Sequence, residues 1–391
     1  MSGDLTIKVV QSLAAFSSRE WADLSGTCRA ACTSSYNPFL SFAFLKSLED
    51  SGCATPQTGW LGQHLRLEAA DGRLMGAVPC YLKSHSQGEY VFDHGWADAF
   101  ERAGGHYYPK LQVSIPFTPT TGPRLLVHHS VEPESVRTAL AHGLRALVEK
   151  LGVSSVHVTF AQPVDMTALT EAGFLHRTDQ QFHFHNEGYS SYDDFLGQLA
   201  SRKRKALKKE RRVALENGIE IDWLTGRDIT EAVWDDFFAF YMDTGSRKWG
   251  RPYLNRRFFS LIGERMSEDI LLVMARRGGR YIAGAINFIG FDTLYGRNWG
   301  CIENHPFLHF EVCYHQAIEF AIAKGLRTVE AGAQGEHKLA RGYVPVTMHS
   351  AHYIAHPGLR NAVADYLERE RSDVEAMGEY LEDHLPFRHG D

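Results

Sequence analysis

Eleven residues, GAQGEHKLARG from Gly332 to Gly342, bring an amide, a carboxylate, an imidazole, an ammonium and a guanidinium together among three glycines. Group transfer to a nucleophile asks for this set: a group that takes the nucleophile's proton, and positive charge where an oxyanion develops. Lys338 suits the charge, Glu336 or His337 the proton, and Gln334 and Arg341 the binding of substrate. A glycine-punctuated loop at a strand end is also where an open α/β sheet presents its ligand groups. The competing reading is a plain surface ion pair between Glu336 and Lys338.

Further candidates lie in four other segments. Val91 to Leu126 shows no clear period yet holds Asp93, His94, Trp96, Tyr107, Tyr108, Lys110 and Arg124, which offer acid–base groups, stacking surfaces and cations. A loop this long inside a compact domain is either functional or a misassigned element, and for any one residue a place in a packed loop is the plainer reading. Arg297, in RNWGC, joins the substrate-binding candidates. Ser201 to Arg212, SRKRKALKKERR, sets eight basic residues against Glu210 alone in a chain of net charge −6. A basic patch in an acidic protein implies a local polyanionic partner, with Arg202, Lys205, Lys209 and Arg212 as its contacts. MDTGSRKWGRPYLN, read as a loop, adds Arg247, Lys248 and Arg251 interleaved with Trp249 and Tyr253, which suits a stacked or phosphate-bearing ligand.

The elements that must hold these groups are written twice. LRALVEKLGVSSVHVTFAQ (Leu144 to Gln162) and AIEFAIAKGLRTVEAGAQ (Ala317 to Gln334) each read as amphipathic helix, glycine stop, short strand and closing Ala-Gln. Each lies downstream of an apolar hairpin, one turning at Asp71-Gly72 and the other at Gly278-Gly279, with Gly-Ala early in the return strand. NPFLSFAFLKSLEDSG predicts a helix from Asn37 to Gly52. The basic residues are expected on one helix opening after Ser191 and ending at Asn217-Gly218, seated by Leu196, Leu199, Ala206, Leu207 and Val213. Trp234, Phe237, Phe238 and Tyr241 fall on a helical face and read as core, and Leu359 to Leu381 reads as an acidic amphipathic helix.

With 391 residues, 44% hydrophobic and 12% aromatic, the chain is long and apolar enough for two cores, and disorder over most of its length is excluded. Six cysteines without a CxxC pair and no secretory pattern predict a reduced, cytoplasmic protein, and no apolar run spans a bilayer. In LHFEVCYH only Glu311 and His315 share a helix face, so no metal site is expected.

Helix, three antiparallel strands, helix, strand is the order of a GNAT-type acetyltransferase unit, and two in tandem resemble the Fem family of peptidyltransferases. LASRKRKALKKERRVALENGIEIDWL and FYMDTGSRKWGRPYLNRRFFSLI resemble the Fem stretch in which a basic helix ends at glycine and enters a strand. FDHGWADAF, YYPKLQVSIPFTPTTGPRLL, YGRNWGC and VEAGAQGEHKLARGY resemble a bacterial Fem-like group described as related to peptidoglycan synthesis or recognition. The resemblance implies an α/β protein of two tandem GNAT-like units, mixed sheets flanked by helices, divided as residues 1–190 and 191–391 with the basic helix at 191–218. It implies no cofactor. The coenzyme A phosphate loop of ordinary acetyltransferases is missing from RNWGCIENHPFLHFE, where Glu303 stands to repel phosphate. Fem enzymes take an aminoacyl group from transfer RNA instead, so the expected partners are aminoacyl-tRNA and an amine acceptor, either a peptidoglycan precursor or a small metabolite. Lys338 corresponds to the cationic lysine at the equivalent Fem strand end. Two other readings compete: acyl-coenzyme A dependent N-acylation with phosphate held by Arg247, Lys248 and Arg251, and a noncatalytic binding module.

Overall fold

The computed structural model describes residues 5–26, 36–249, 252–332 and 335–388, without the side chains of 246–249 and 336. The first stretch runs β1 (Thr6–Val10), α1 (Ser18–Ser25), α2 (Phe42–Asp50), β2 (Trp60–Gly62), β3 (His64–Glu68), β4 (Leu74–Val78) and β5 (Cys80–Lys83). It continues with α3 (His94–Arg102), β6 (Lys110–Val113), β7 (Leu126–Val127), α4 (Pro133–Leu151), β8 (Ser155–Ala161) and α5 (Pro163–Glu171). Then follow β9 (Leu175–His185), α6 (Tyr192–Gln198), α7 (Ser201–Ala214), β10 (Ile219–Thr225), α8 (Glu231–Trp249), α9 (Arg256–Met266), β11 (Ile270–Arg277), β12 (Arg280–Ile289) and β13 (Thr293–Cys301). The chain closes with α10 (Leu308–Phe310), a π turn (Glu311–His315), α11 (Gln316–Lys324), β14 (Thr328–Glu330), a 3-10 turn (Glu336–Arg341), β15 (Val344–Ile354) and α12 (Pro357–Glu382).

Two compact units result. Unit 1 is Met1–Asp179 with Thr347–Ala376, and unit 2 is Gln180–Val346 with Met377–Asp391. In unit 1, β1, β3, β4 and β7 pair in that order, β2, β5 and β6 pair antiparallel, β6 and β8 run parallel, and β8 takes β15 antiparallel. In unit 2, β10 through β13 form an antiparallel meander, β13 and β14 run parallel, and β14 takes β9 antiparallel.

The doubled pattern reflects the same local physics in both units. α4 and α11 each stop at a left-handed glycine, Gly152 (φ 64°) and Gly325 (φ 66°), and re-enter a strand that runs parallel to its neighbour. The return-strand glycines allow close packing: a Cβ on Gly76 would sit 2.9 Å from the Leu126 carbonyl and the Val136 methyl, and one on Gly284 would sit 2.5 Å from the Met274 sulfur. Burial on both faces then gives unit 1 a core around Leu65, Val78, Leu144 and Val156, and unit 2 a core around Phe184, Val273, Leu294 and Ile318.

Several elements depart from expectation. The segment after Val91 contains α3, capped from Asp93, and β6, so much of the apparent loop is regular structure hidden by short element lengths. MDTGSRKW continues α8 to Trp249 instead of forming a loop. Asn37 caps a single 3-10 turn, and Ser41 caps α2 anew. The basic helix is two: Leu199 turns extended and bridges Phe387, separating α6 from α7, while Ser191 caps α6 as expected. Along α7 the buried face is Leu207, Glu210 and Ala214, with Ala206 exposed. Trp234, Phe237 and Tyr241 are buried in core as anticipated, and no described helix is long and apolar enough to cross a membrane.

Candidate functional site

In unit 2 the parallel pairing of β13 with β14 ends at Tyr295 and Glu330. β13 runs on to Cys301 past the last paired residues, and the other chain takes left-handed backbone at Gly332 (φ 78°); in open α/β sheets such a strand end is where ligand groups are presented. The 3-10 turn places Lys338 there. The turn is bracketed by Gly335 (φ 123°) and Gly342 (φ 85°); a Cβ on Gly335 would strike the His337 ring at 2.5 Å, and one on Gly342 would strike Phe195 at 2.6 Å.

Lys338 is 1% exposed, and its ammonium donates to the Gly332 carbonyl at 2.8 Å. No described carboxylate pairs with it. Burial, followed by Arg297 on β13, pushes its pKa down to about 8, with Cys313 opposing. Buried His183 on β9 is pushed down to about 3 by burial first, then by His185 and Lys338. The ammonium therefore shares its surroundings with β13, β9 and the π turn.

The π turn widens the helix at the site, a place where such turns recur. One face carries Phe310 and Tyr314 towards the 3-10 turn, and the Tyr314 hydroxyl lies 2.9 Å from His337 Nε2. The opposite face carries Glu311 and His315, the pair expected to share a side. Arg211 donates to Glu311 (2.8 Å) and Glu319 (2.7 Å), and His315 bridges the Tyr192 hydroxyl (2.6 Å) and the Glu210 carboxylate (2.7 Å). Trp299, His309, Phe310 and His337 form a linked set of rings with centroids 5.2 to 5.5 Å apart between neighbours. Among the described residues, no cluster of metal-ligating side chains occurs.

Of the sequence candidates, Lys338, His337 and Arg297 gather at this strand end, with His337 exposed and Arg297 half-buried. Arg341 is turned inward: its guanidinium grips Glu210 through two bonds of 2.8 and 2.7 Å, donates to the His337 carbonyl at 2.6 Å and covers the Phe310 ring at 3.5 Å. Gln334, Arg251 and the side chains of Glu336, Arg247 and Lys248 lie outside the described residues. Arg202, Lys205, Lys209 and Arg212 all face solvent on α7. Glu303 carries no bare charge, because Arg277 (2.7 Å), Arg280 (3.0 Å) and His305 (3.0 Å) surround it. The residue that sequence reasoning missed is Glu210; its only signal was a lone acid among eight cations.

The remaining candidates belong to unit 1, and most are committed inside it. Lys110 is fully buried between Asp93 and Glu89, with Tyr107 donating to Asp93 at 2.7 Å. Burial pushes Glu89 up to about 7 and His157 down to about 3; burial also opposes ionisation of Asp93, but Lys110 and His157 outweigh it and hold that carboxyl well below its usual range. Trp96 is buried edge-on to His352 and under Arg177, Tyr108 bonds Ser86 at 2.7 Å, and His94 alone is exposed, stacked on Phe92. Arg124 is not open to a ligand: it donates to the carbonyls of Thr159 (2.9 Å) and Thr120 (2.6 Å), and its own amide donates to Asp165 at 2.7 Å. It thereby fixes the segment that bridges Gly122 to Ala161 at the end of β8. Phe117 (φ 60°) and Phe160 (φ 55°), close in sequence to the two bridged residues, adopt left-handed backbone, a conformation phenylalanine rarely takes.

The solved structure of FemX matches with a TM-score of 0.55 at 12% identity, covering 89% of this chain and 98% of that one. L-PGS from Bacillus licheniformis matches with a TM-score of 0.50 at 9% identity, covering 85% and 98%. A tandem GNAT protein from the clavulanic acid biosynthesis pathway matches with a TM-score of 0.47 at 14% identity, covering 90% and 99%. The likeness to FemX and L-PGS concerns the fold, which is mixed α/β with helices flanking the sheets. No curated protein sequence matches the chain. The family model for FemAB-like proteins, described as peptidoglycan biosynthesis/recognition, matches residues 12–389. By that near-complete match, the chain belongs to the FemAB-like family.

Proposed function

We propose that this protein transfers an aminoacyl group from aminoacyl-tRNA to the amine of a cell-envelope precursor or small metabolite. The observation that carries the reading is the presence, within unit 2, of a buried ammonium just beyond the paired end of β14 together with a row of exposed cations on α7. Arg202, Lys205, Lys209 and Arg212 suit an RNA backbone, where each phosphate contact releases condensed counterions. The half-buried rings of Trp299, His309 and Phe310 suit a terminal nucleobase.

The chemistry divides among few groups. The acceptor's neutral amine attacks the ester carbonyl, a C–N bond forms, and negative charge collects on the carbonyl oxygen. Lys338 holds its proton at neutral pH with a pKa of about 8 and meets that charge in a water-poor setting, where one ammonium counts for more than in solvent. The ester C–O bond then breaks, and the amine's proton passes to the departing ribose oxygen through His337.

A coenzyme A thioester donor is the second reading, favoured by one observation: the neutralisation of Glu303 removes the repulsion expected for a phosphate. Labelled aminoacyl-tRNA and labelled acetyl-coenzyme A, each supplied with a lysine-containing muropeptide or a simple diamine, separate the two. Label should move from the tRNA to the amine. Transfer from coenzyme A alone, with no retention of tRNA at low salt, would replace the first reading by the second.

A further inference from the structure

Glu210 lies on the basic helix yet serves none of its exposed chemistry. It lies on the buried face of the helix, and its carboxylate is directed into unit 2, accepting from Arg341 at 2.8 and 2.7 Å and lying 2.7 Å from His315 Nε2. Burial alone would raise its carboxyl, but hydrogen bonds from His315 and Arg341 outweigh that and keep it below the usual carboxylate range. His315 is itself fixed by Tyr192 on α6 at 2.6 Å. Arg341 passes the restraint on, because its guanidinium donates to the His337 carbonyl at 2.6 Å, one residue from Lys338. The adjacent Arg211 fastens the same helix to the π turn through Glu311 and to α11 through Glu319. The turn bearing Lys338 is closed at its ends by Lys338 N to Gly335 O (3.0 Å), Gly342 N to Leu339 O (3.0 Å) and Tyr343 N to Lys338 O (3.3 Å).

We propose that Glu210 is a positioning residue that makes α7 and the Lys338 turn one mechanical body, so that a polyanion held on the outer face of the helix tightens the turn on the inner face. The proposal deepens the transferase reading above and rests on it for the identity of the polyanion. The physical basis is direct. A two-bond guanidinium–carboxylate pair fixes direction as well as distance, and a shift of about 1 Å at a catalytic group is enough to cost on the order of 10²-fold in rate.

Glu210→Gln keeps the side-chain size and removes the charge. Its tRNA affinity should stay at the wild-type value, since Arg202, Lys205, Lys209 and Arg212 are untouched, while kcat falls on the order of 10²-fold. The limb of the pH–rate profile that belongs to Lys338 should move to higher pH as the loosened turn admits water. That ammonium is faced by Arg297 from β13, Cys313 from the π turn and His183 from β9, none of which the variant alters. The double variant Glu210→Gln, Arg341→Gln should be no slower than the worse single variant, because both break one device.

Hydrogen exchange decides the matter without any substrate. In wild type, uncharged tRNA should slow exchange at the amides of Lys338, Gly342 and Tyr343; in Glu210→Gln those amides should exchange faster and ignore tRNA. Arg341→Lys, which keeps the charge but breaks the two-bond geometry, is the companion variant if Glu210→Gln does not fold. Turn amides that exchange as in wild type in a folded variant would overturn the proposal. So would faster exchange spread evenly over unit 2, which marks a general structural role. If no donor supports transfer but the exchange coupling is present, the transferase reading fails and the mechanical link stands.

Discussion

Lys338→Met should make the protein more stable and less active at once. The folded ammonium titrates at about 8 against an ordinary 10.5, and that fall corresponds to about 3 kcal/mol of destabilisation by a charge held out of water. Methionine fills nearly the same volume without the charge. The lost hydrogen bond to Gly332 takes back about 1 kcal/mol, so a net gain of about 2 kcal/mol is expected at pH 7, or roughly 5 °C in Tm for a unit of this size. The sign follows from linkage: below about 8 both folded and unfolded lysine are protonated and the cost is fully present. Between about 8 and 10.5 the unfolded chain binds more protons, so wild-type stability rises with pH and the gap closes. Denaturation of wild type and variant at pH 7, 8, 9 and 10 measures the gap. With a working substrate, the chemical step should fall roughly 10² to 10³-fold with little change in donor affinity. A variant less stable than wild type at every pH, or one with undiminished turnover, would show that Lys338 serves structure and that charge stabilisation comes from elsewhere.

Changing Arg202, Lys205, Lys209 and Arg212 to glutamate should abolish tRNA retention and its salt dependence, checked by filter binding across a salt series, while the melting transition stays in place because all four are exposed. Removing one member of the buried group in unit 1, as in Lys110→Met, should cost about 3–5 kcal/mol in urea unfolding, since Asp93 and Glu89 are left without their shared cation. Stability should also fall as pH drops below about 6.5, because unfolded imidazoles take protons there that His157 and His183 refuse until about 3; His157→Gln should flatten part of that slope.

How much of this was legible in the sequence depended on the range of the interaction. Helix stops at Gly152 and Gly325, the Gly278-Gly279 hairpin, the cap at Ser191 and the apolar face of α8 are set by residues within a few positions of one another, and each stands where its local chemistry put it. The GAQGEHKLARG segment was legible as a site candidate for the same reason, since glycine spacing and clustered ionisable groups are local signals. Tertiary structure decided which of those groups are spent on partners. Lys338 and Arg341 sit three positions apart, yet one lies buried without a described carboxylate partner while the other is spent on Glu210, 131 residues away. It also settled that Asp93, Lys110 and Arg124 are occupied inside unit 1, because their partners Tyr107, Glu89 and Thr159, between 14 and 35 positions away, are brought to them by the fold. Composition ranks a charged residue as a candidate; only the partner that folding delivers, at 2 to 3 Å, determines whether its charge remains for a substrate.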